Sequence, residues 1–180
     1  MKKSCLLSLV FLSVFPTLAH AGSYAPLADF SAVSQNPQCR LTAMQESFLN
    51  SWTPPAQFFL VPPYPNAVLA SAMPSGNSQI HGHTYQTIPS AVLLSPDPPE
   101  KILEFYKRSL GATWFQAEDI DTIYLYRLPR PVASGEALTR QLMSKPGSIP
   151  NIAIDTQISP CDQTIGRGAR TRITVVSPPR

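Results

Sequence analysis

Asp97-Pro98-Pro99-Glu100-Lys101-Ile102-Leu103-Glu104-Phe105-Tyr106-Lys107-Arg108-Ser109-Leu110-Gly111 is the stretch whose reading decides the fold. It predicts a helix from Pro98 to Leu110. Asp97 is placed as N-cap, Pro98 takes the first helical position, and Glu100 completes a capping-box-like Asp-x-x-Glu. Ile102, Leu103, Phe105, Tyr106 and Leu110 form one apolar stripe, while Lys101, Glu104, Lys107 and Arg108 occupy the wet face. Glu104 and Arg108 have the spacing and order of a favourable surface pair, and Gly111 supplies a C-terminal cap. Burying five such side chains is worth on the order of 7–15 kcal/mol gross, before chain entropy is charged. Such a stripe requires a sheet or another helix to lie against.

Sheet candidates lie on both sides of the helix. Downstream, Ala112 to Ala117 and Thr122 to Leu128 flank Glu118-Asp119-Ile120-Asp121, the shape of a hairpin with an acidic loop. Ile152, Ile154, Thr156 and Ile158 alternate with Asn151, Ala153, Asp155 and Gln157, and Arg170 to Val176 makes a closing strand. Upstream, Ala67 to Met73 reads as a strand, Pro74-Ser75-Gly76-Asn77 as a turn, and Gln79 to Gln86 as a second strand that Ala91 to Leu94 extends or follows. Gly135 to Ser144 is a weak second helix. Leu41, Met44, Phe48, Leu49 and Trp52 recur at helical spacing from Leu41 to Trp52, and Thr53-Pro54-Pro55 stops that helix. Strands joined by short turns argue for an antiparallel sheet. The expected class is α+β: five or six mostly antiparallel strands, one main amphipathic helix packed on a face, and an N-terminal helical extension.

The chain opens with the pattern of an export signal. Lys2 and Lys3 are followed by an apolar run from Leu6 to Leu18 and by Ala19-His20-Ala21, the A-x-A form of a signal-peptidase site. The run is shorter than the roughly 20 residues a membrane helix needs. Residues 1–21 are therefore expected to be removed and the mature protein to be periplasmic or secreted, with no stable membrane insertion. The remaining organisation is 22–61 as N-terminal extension, 62–176 as α+β domain and 177–180 as tail. Two positive charges of a formal +3 leave with the leader, so no cationic field for nucleic acid remains. The 20 prolines point to many loops. Of the three cysteines, Cys5 falls in the leader. Cys39 and Cys161 remain for an oxidising compartment, where a disulfide is the default pairing.

Pro63-Tyr64-Pro65-Asn66-Ala67 and Ser95 to Lys107 together resemble uncharacterised exported bacterial proteins with a Tyr-Pro-x-Ala strand and a capped Phe-Tyr helix. Thr171 to Val175 is similar to their closing Thr-Arg-Ile-Thr-Val-type strand. The resemblance spans about residues 62–176 and implies one helix on an antiparallel sheet, with no catalytic residue carried over. Residues 129–150 exceed that pattern and read as an insertion.

The constellations that could carry chemistry are few. His81 and His83 form an H-x-H pair which, on a strand, turns both rings to one side and could offer two imidazoles to zinc or copper. Glu118, Asp119, Asp121 and Asp162 lack the register of a calcium loop. G-x-S-x-G, S-x-x-K, GxGxxG, phosphate-loop and H-E-x-x-H patterns do not occur. Arg170 and Arg172 share a strand face and could grip a carboxylate or phosphate. Tyr124 and Tyr126 share a face of their own strand, an arrangement frequent at binding surfaces. The expected function is that of a non-catalytic binding or accessory protein without a cofactor, its partner an unknown protein or small molecule of the cell envelope. A metal-binding protein using His81 and His83 is the alternative, and a hydrolase of unrecognised type the third.

Overall fold

The computed structural model describes residues 22–80, 82–128 and 149–180. The expected leader, His81 and nearly all of the expected insertion, including the second helix, lie outside them. Among the described residues eight strands are present: β1 Val68–Met73, β2 Gly76–Ile80, β3 His83–Thr87, β4 Ser90–Ser95, β5 Trp114–Asp119, β6 Thr122–Arg127, β7 Asn151–Asp155 and β8 Thr171–Val176. Three α-helices accompany them among the described residues: α1 Arg40–Ser51, α2 Pro99–Leu110 and α3 Pro160–Ile165. Six strands form one sheet in the order β1-β4-β8-β7-β6-β5, and every neighbouring pair is antiparallel. The class is α+β.

Strand alternation gives the sheet two unlike faces. The register aligns Leu93, Ile173, Ile154 and Ile123 in one row and Ala91, Val175, Ile152 and Leu125 in the next. On this face lies α2, packed against β7, with Ile102 and Tyr106 wholly buried. Phe105 of the same helix meets Tyr64 edge-on, the centroids 5.2 Å apart. The expected stripe is therefore the packed face.

The start of α2 departs from expectation. Pro98, extended at φ −71° and ψ 157°, is the N-cap, and no side chain caps the helix. The Asp97 carboxylate is engaged elsewhere. Its Oδ2 accepts from the Tyr64 hydroxyl at 2.8 Å and from Asn66 Nδ2 at 3.0 Å, and its Oδ1 accepts from Lys101 Nζ at 2.9 Å. Its backbone N–H donates to Ser95 Oγ, and its carbonyl accepts from Thr171 Oγ1 at 2.8 Å. One residue thus ties the Tyr64-Pro65-Asn66 turn and the start of α2 to the end of β4 and the start of β8. At the other end of α2, Gly111 adopts φ +72°, which a side chain would strain.

The opposite face is covered at its β1–β4–β8 end by α1 and α3. Cys39 and Cys161 are joined in a disulfide with their Cα atoms 5.6 Å apart. Beside it, the buried Asp162 accepts from Thr42 Oγ1 at 3.4 Å and lies 3.7 Å from the Arg172 guanidinium. Thr42 and Leu49 are the buried residues of α1, whereas Leu41, Met44 and Phe48 are exposed. The helical spacing of the apolar residues thus marks the helix but not its inward side. The N-terminal segment also guards the β1 edge: Leu69 N–H donates to the Pro26 carbonyl at 2.7 Å, and Ala28 N–H to the Leu69 carbonyl at 2.9 Å. Residues 177–180 are no loose tail. Pro179 bridges Phe59, and the Arg180 backbone N–H and Nε donate to the Phe58 and Phe59 carbonyls.

Upstream of β4, Gln79 to Gln86 is not one strand. The chain reverses between Ile80 and His83, with Gly82 at φ +78°, and β2 pairs with β3 as a separate two-stranded sheet. Ala91 to Leu94 belongs to β4, a strand of its own inside the large sheet.

Candidate functional site: an aromatic sheet face

The Ile120-Asp121 turn closes the β5–β6 hairpin and fixes the alternation of β6. Ile123 and Leu125 go to the α2 side, which puts Tyr124 and Tyr126 on the other. Their rings stack with centroids 5.5 Å apart and planes 12° from parallel. Phe115 stands opposite Tyr126 on β5, and Ala117 and Ala153 flank Tyr124 from either side. Single methyl groups beside a ring leave its flanks low, so Tyr124 stands above small neighbours, whereas Tyr126 lies between Phe115 and Asn151. Thr174 and Val92 continue the Tyr124 row across β8 and β4, and Asn151 and Val176 continue the Tyr126 row. All of these side chains are half-buried, neither sealed in a core nor fully in water.

The adjacent row is charged. Asp119, Thr122, Asp155 and Arg172 align across β5, β6, β7 and β8. Burial, followed by the nearby Tyr124 and Asp119, raises the Tyr126 hydroxyl above its ordinary pKa, so it stays protonated and able to donate. The face thus combines flat aromatic area, hydroxyl and amide groups, and charge of both signs along one border. Its chemistry is that of contact and hydrogen bonding.

The register places Arg172 on the same face as the two tyrosines, two strands away, where Asp162 orients it. Arg170 precedes β8, and its backbone N–H donates to the Ser95 carbonyl. His83 is exposed at the first position of β3, on the far side of the reversal that breaks the expected H-x-H strand. Asp162 lies on α3 and is paired with Arg172 of β8, a strand that β7 separates from the acidic hairpin. On the α2 side, a cleft of about 250 Å³ lies between Pro99 and the hairpin turn, with Asp119 and Asp121 at its rim and Ile123 and Ile154 beneath. Asp121 is partly occupied there, accepting from Gln157 Nε2. Phe115 and the two alanines escaped sequence reasoning, although the alternation in Trp114-Phe115-Gln116-Ala117 carries the signal. No known family, curated protein or solved structure matches the chain.

Proposed function

We propose that this is an exported, non-catalytic binding or accessory protein of the cell envelope, and that the Tyr124–Tyr126 face is its contact surface. The observation that supports the reading is the stacked tyrosine pair, held half-open on a sheet with alanines on both sides of Tyr124. Tyrosine presents large, stiff, amphipathic area at small entropic cost, which is why it recurs at recognition surfaces. The disulfide and the signal pattern at residues 1–21 support placement in an oxidising compartment. Among the described residues no helix is long and apolar enough to cross a membrane.

The test compares the mature chain with its Tyr124→Ala, Tyr126→Ala double variant as immobilised baits for envelope extract. A species held by the parent and lost from the variant, with both melting alike, supports the reading. Identical capture by the two baits overturns it.

A further inference from the structure

The β2–β3 hairpin stands apart from everything the aromatic face explains. It continues β1 and β4 outward as an arm, pairing Gly76 with Thr87 through Ile80 with His83. Among the described residues no further strand lies beside it. Asn77, Gln79, His83, Thr84 and Gln86 are exposed. An isolated two-stranded hairpin is at best marginally stable in water, and such an element gains most from a third strand.

Among the described residues its edges lack the usual protection. No Asp, Glu, Lys or Arg occurs between residues 47 and 96, and the prolines nearest the arm, Pro74 and Pro89, lie outside its strands. Exposed edges are ordinarily blunted by charge, by proline or by a covering segment. The β1 edge shows the last device, with residues 26–28 laid along it. The arm shows none of the three among the described residues.

We propose that this arm is a homotypic pairing element through which two copies of the chain join edge to edge into a four-stranded antiparallel sheet. Self-complementarity argues for a second copy rather than a foreign strand. An uncharged strand meets its own image across a two-fold axis without like-charge repulsion. One face of the arm carries Asn77, Gln79, Thr84 and Gln86, paired Asn77 with Gln86 and Gln79 with Thr84. Each of these side chains both donates and accepts, so each can pair with its own counterpart. A partner chosen by charge would find no Asp, Glu, Lys or Arg on the arm to read.

Sedimentation velocity of the mature chain, from micromolar to millimolar concentration, tests this. The expected result is a reversible dimer that weakens at least several-fold when lysine is placed on the paired edge, by Gln79→Lys for β2 or Gln86→Lys for β3. Mixing Gln79→Lys chains with Gln79→Glu chains, or Gln86→Lys with Gln86→Glu, should restore association and so assign the edge. Because Gln79 and Gln86 are exposed, melting of the variants should follow that of the parent. A chain that stays monomeric throughout overturns the proposal, as does a dimer indifferent to both lysine substitutions.

Discussion

Asp97 shows how much a single side chain can organise and how little of that is local. Its neighbours in sequence mark it as a helix cap, but Tyr64 and Asn66, more than thirty positions upstream, claim the carboxylate instead. Hydrogen bonds from Asn66, Lys101 and Tyr64 hold its pKa down to about 2 from an ordinary 3.8. A depressed carboxylate contributes stability that is complete above its unfolded value and is lost as pH falls through its folded value. Acidification from about pH 4 towards 2 should therefore lower the melting temperature more in the parent than in Asp97→Asn. Equal acid sensitivity in the two would show that the carboxylate is not engaged. Gly166 makes a second case at this scale. A Cβ there would stand 2.6 Å from Ala169 Cβ, 2.9 Å from the Asp162 carbonyl and 3.0 Å from Leu94 Cβ. Gly166→Ala should cost about 1–3 kcal/mol, as overpacking does, read as a drop in urea midpoint. An unchanged midpoint would mean that α3 sits less tightly on β4 than described.

At the scale of elements, patterns with a strong period were legible. The stripe of α2, the β5–β6 hairpin and β8 appear where residue spacing puts them, and β7 does so as far as Asp155, short of the expected Thr156 and Ile158. Ile102→Ala should destabilise by about 2–5 kcal/mol, since Ile102 is fully buried under α2. Lys107→Ala on the exposed side should cost less than about 0.5 kcal/mol. Denaturant unfolding of the two variants checks the helix face, and equal losses would reverse it. Other elements were hidden for physical reasons. Gln79 to Gln86 alternates well enough to read as one strand, yet β2 ends at Ile80, β3 begins at His83 and Gly82 takes a positive φ between them. The six residues of α3 are too few to show a period, and a Ser159 hydroxyl accepting from Asp162 N–H marks its start. The inward side of α1 was likewise illegible, because Thr42 turns inward to reach Asp162 while Leu41 lies 80% exposed.

Over the whole molecule, the Cys39–Cys161 bond clamps the N-terminal helix and α3 across one end of the sheet, a pairing that compartment and elimination had made legible. Denatured, unreduced protein should take up no thiol label at either position, and reduction should cost about 2–5 kcal/mol of stability. Two labelled cysteines per chain would refute the clamp. The opposite end of that face was only half legible. The tyrosines could be placed on one side of a strand, but Phe115, Ala117 and Ala153 enter only through pairing with other strands. The claim that this face is where the protein meets its partner is open to a direct measurement. A photo-crosslinking residue is placed at Tyr124, or as control at Lys107 on the exposed side of α2, and cells producing the chain are irradiated. The account predicts a discrete adduct from position 124, on chain cleaved at the signal site, and none from position 107. Adducts of equal yield from both positions, or none from position 124, would contradict it.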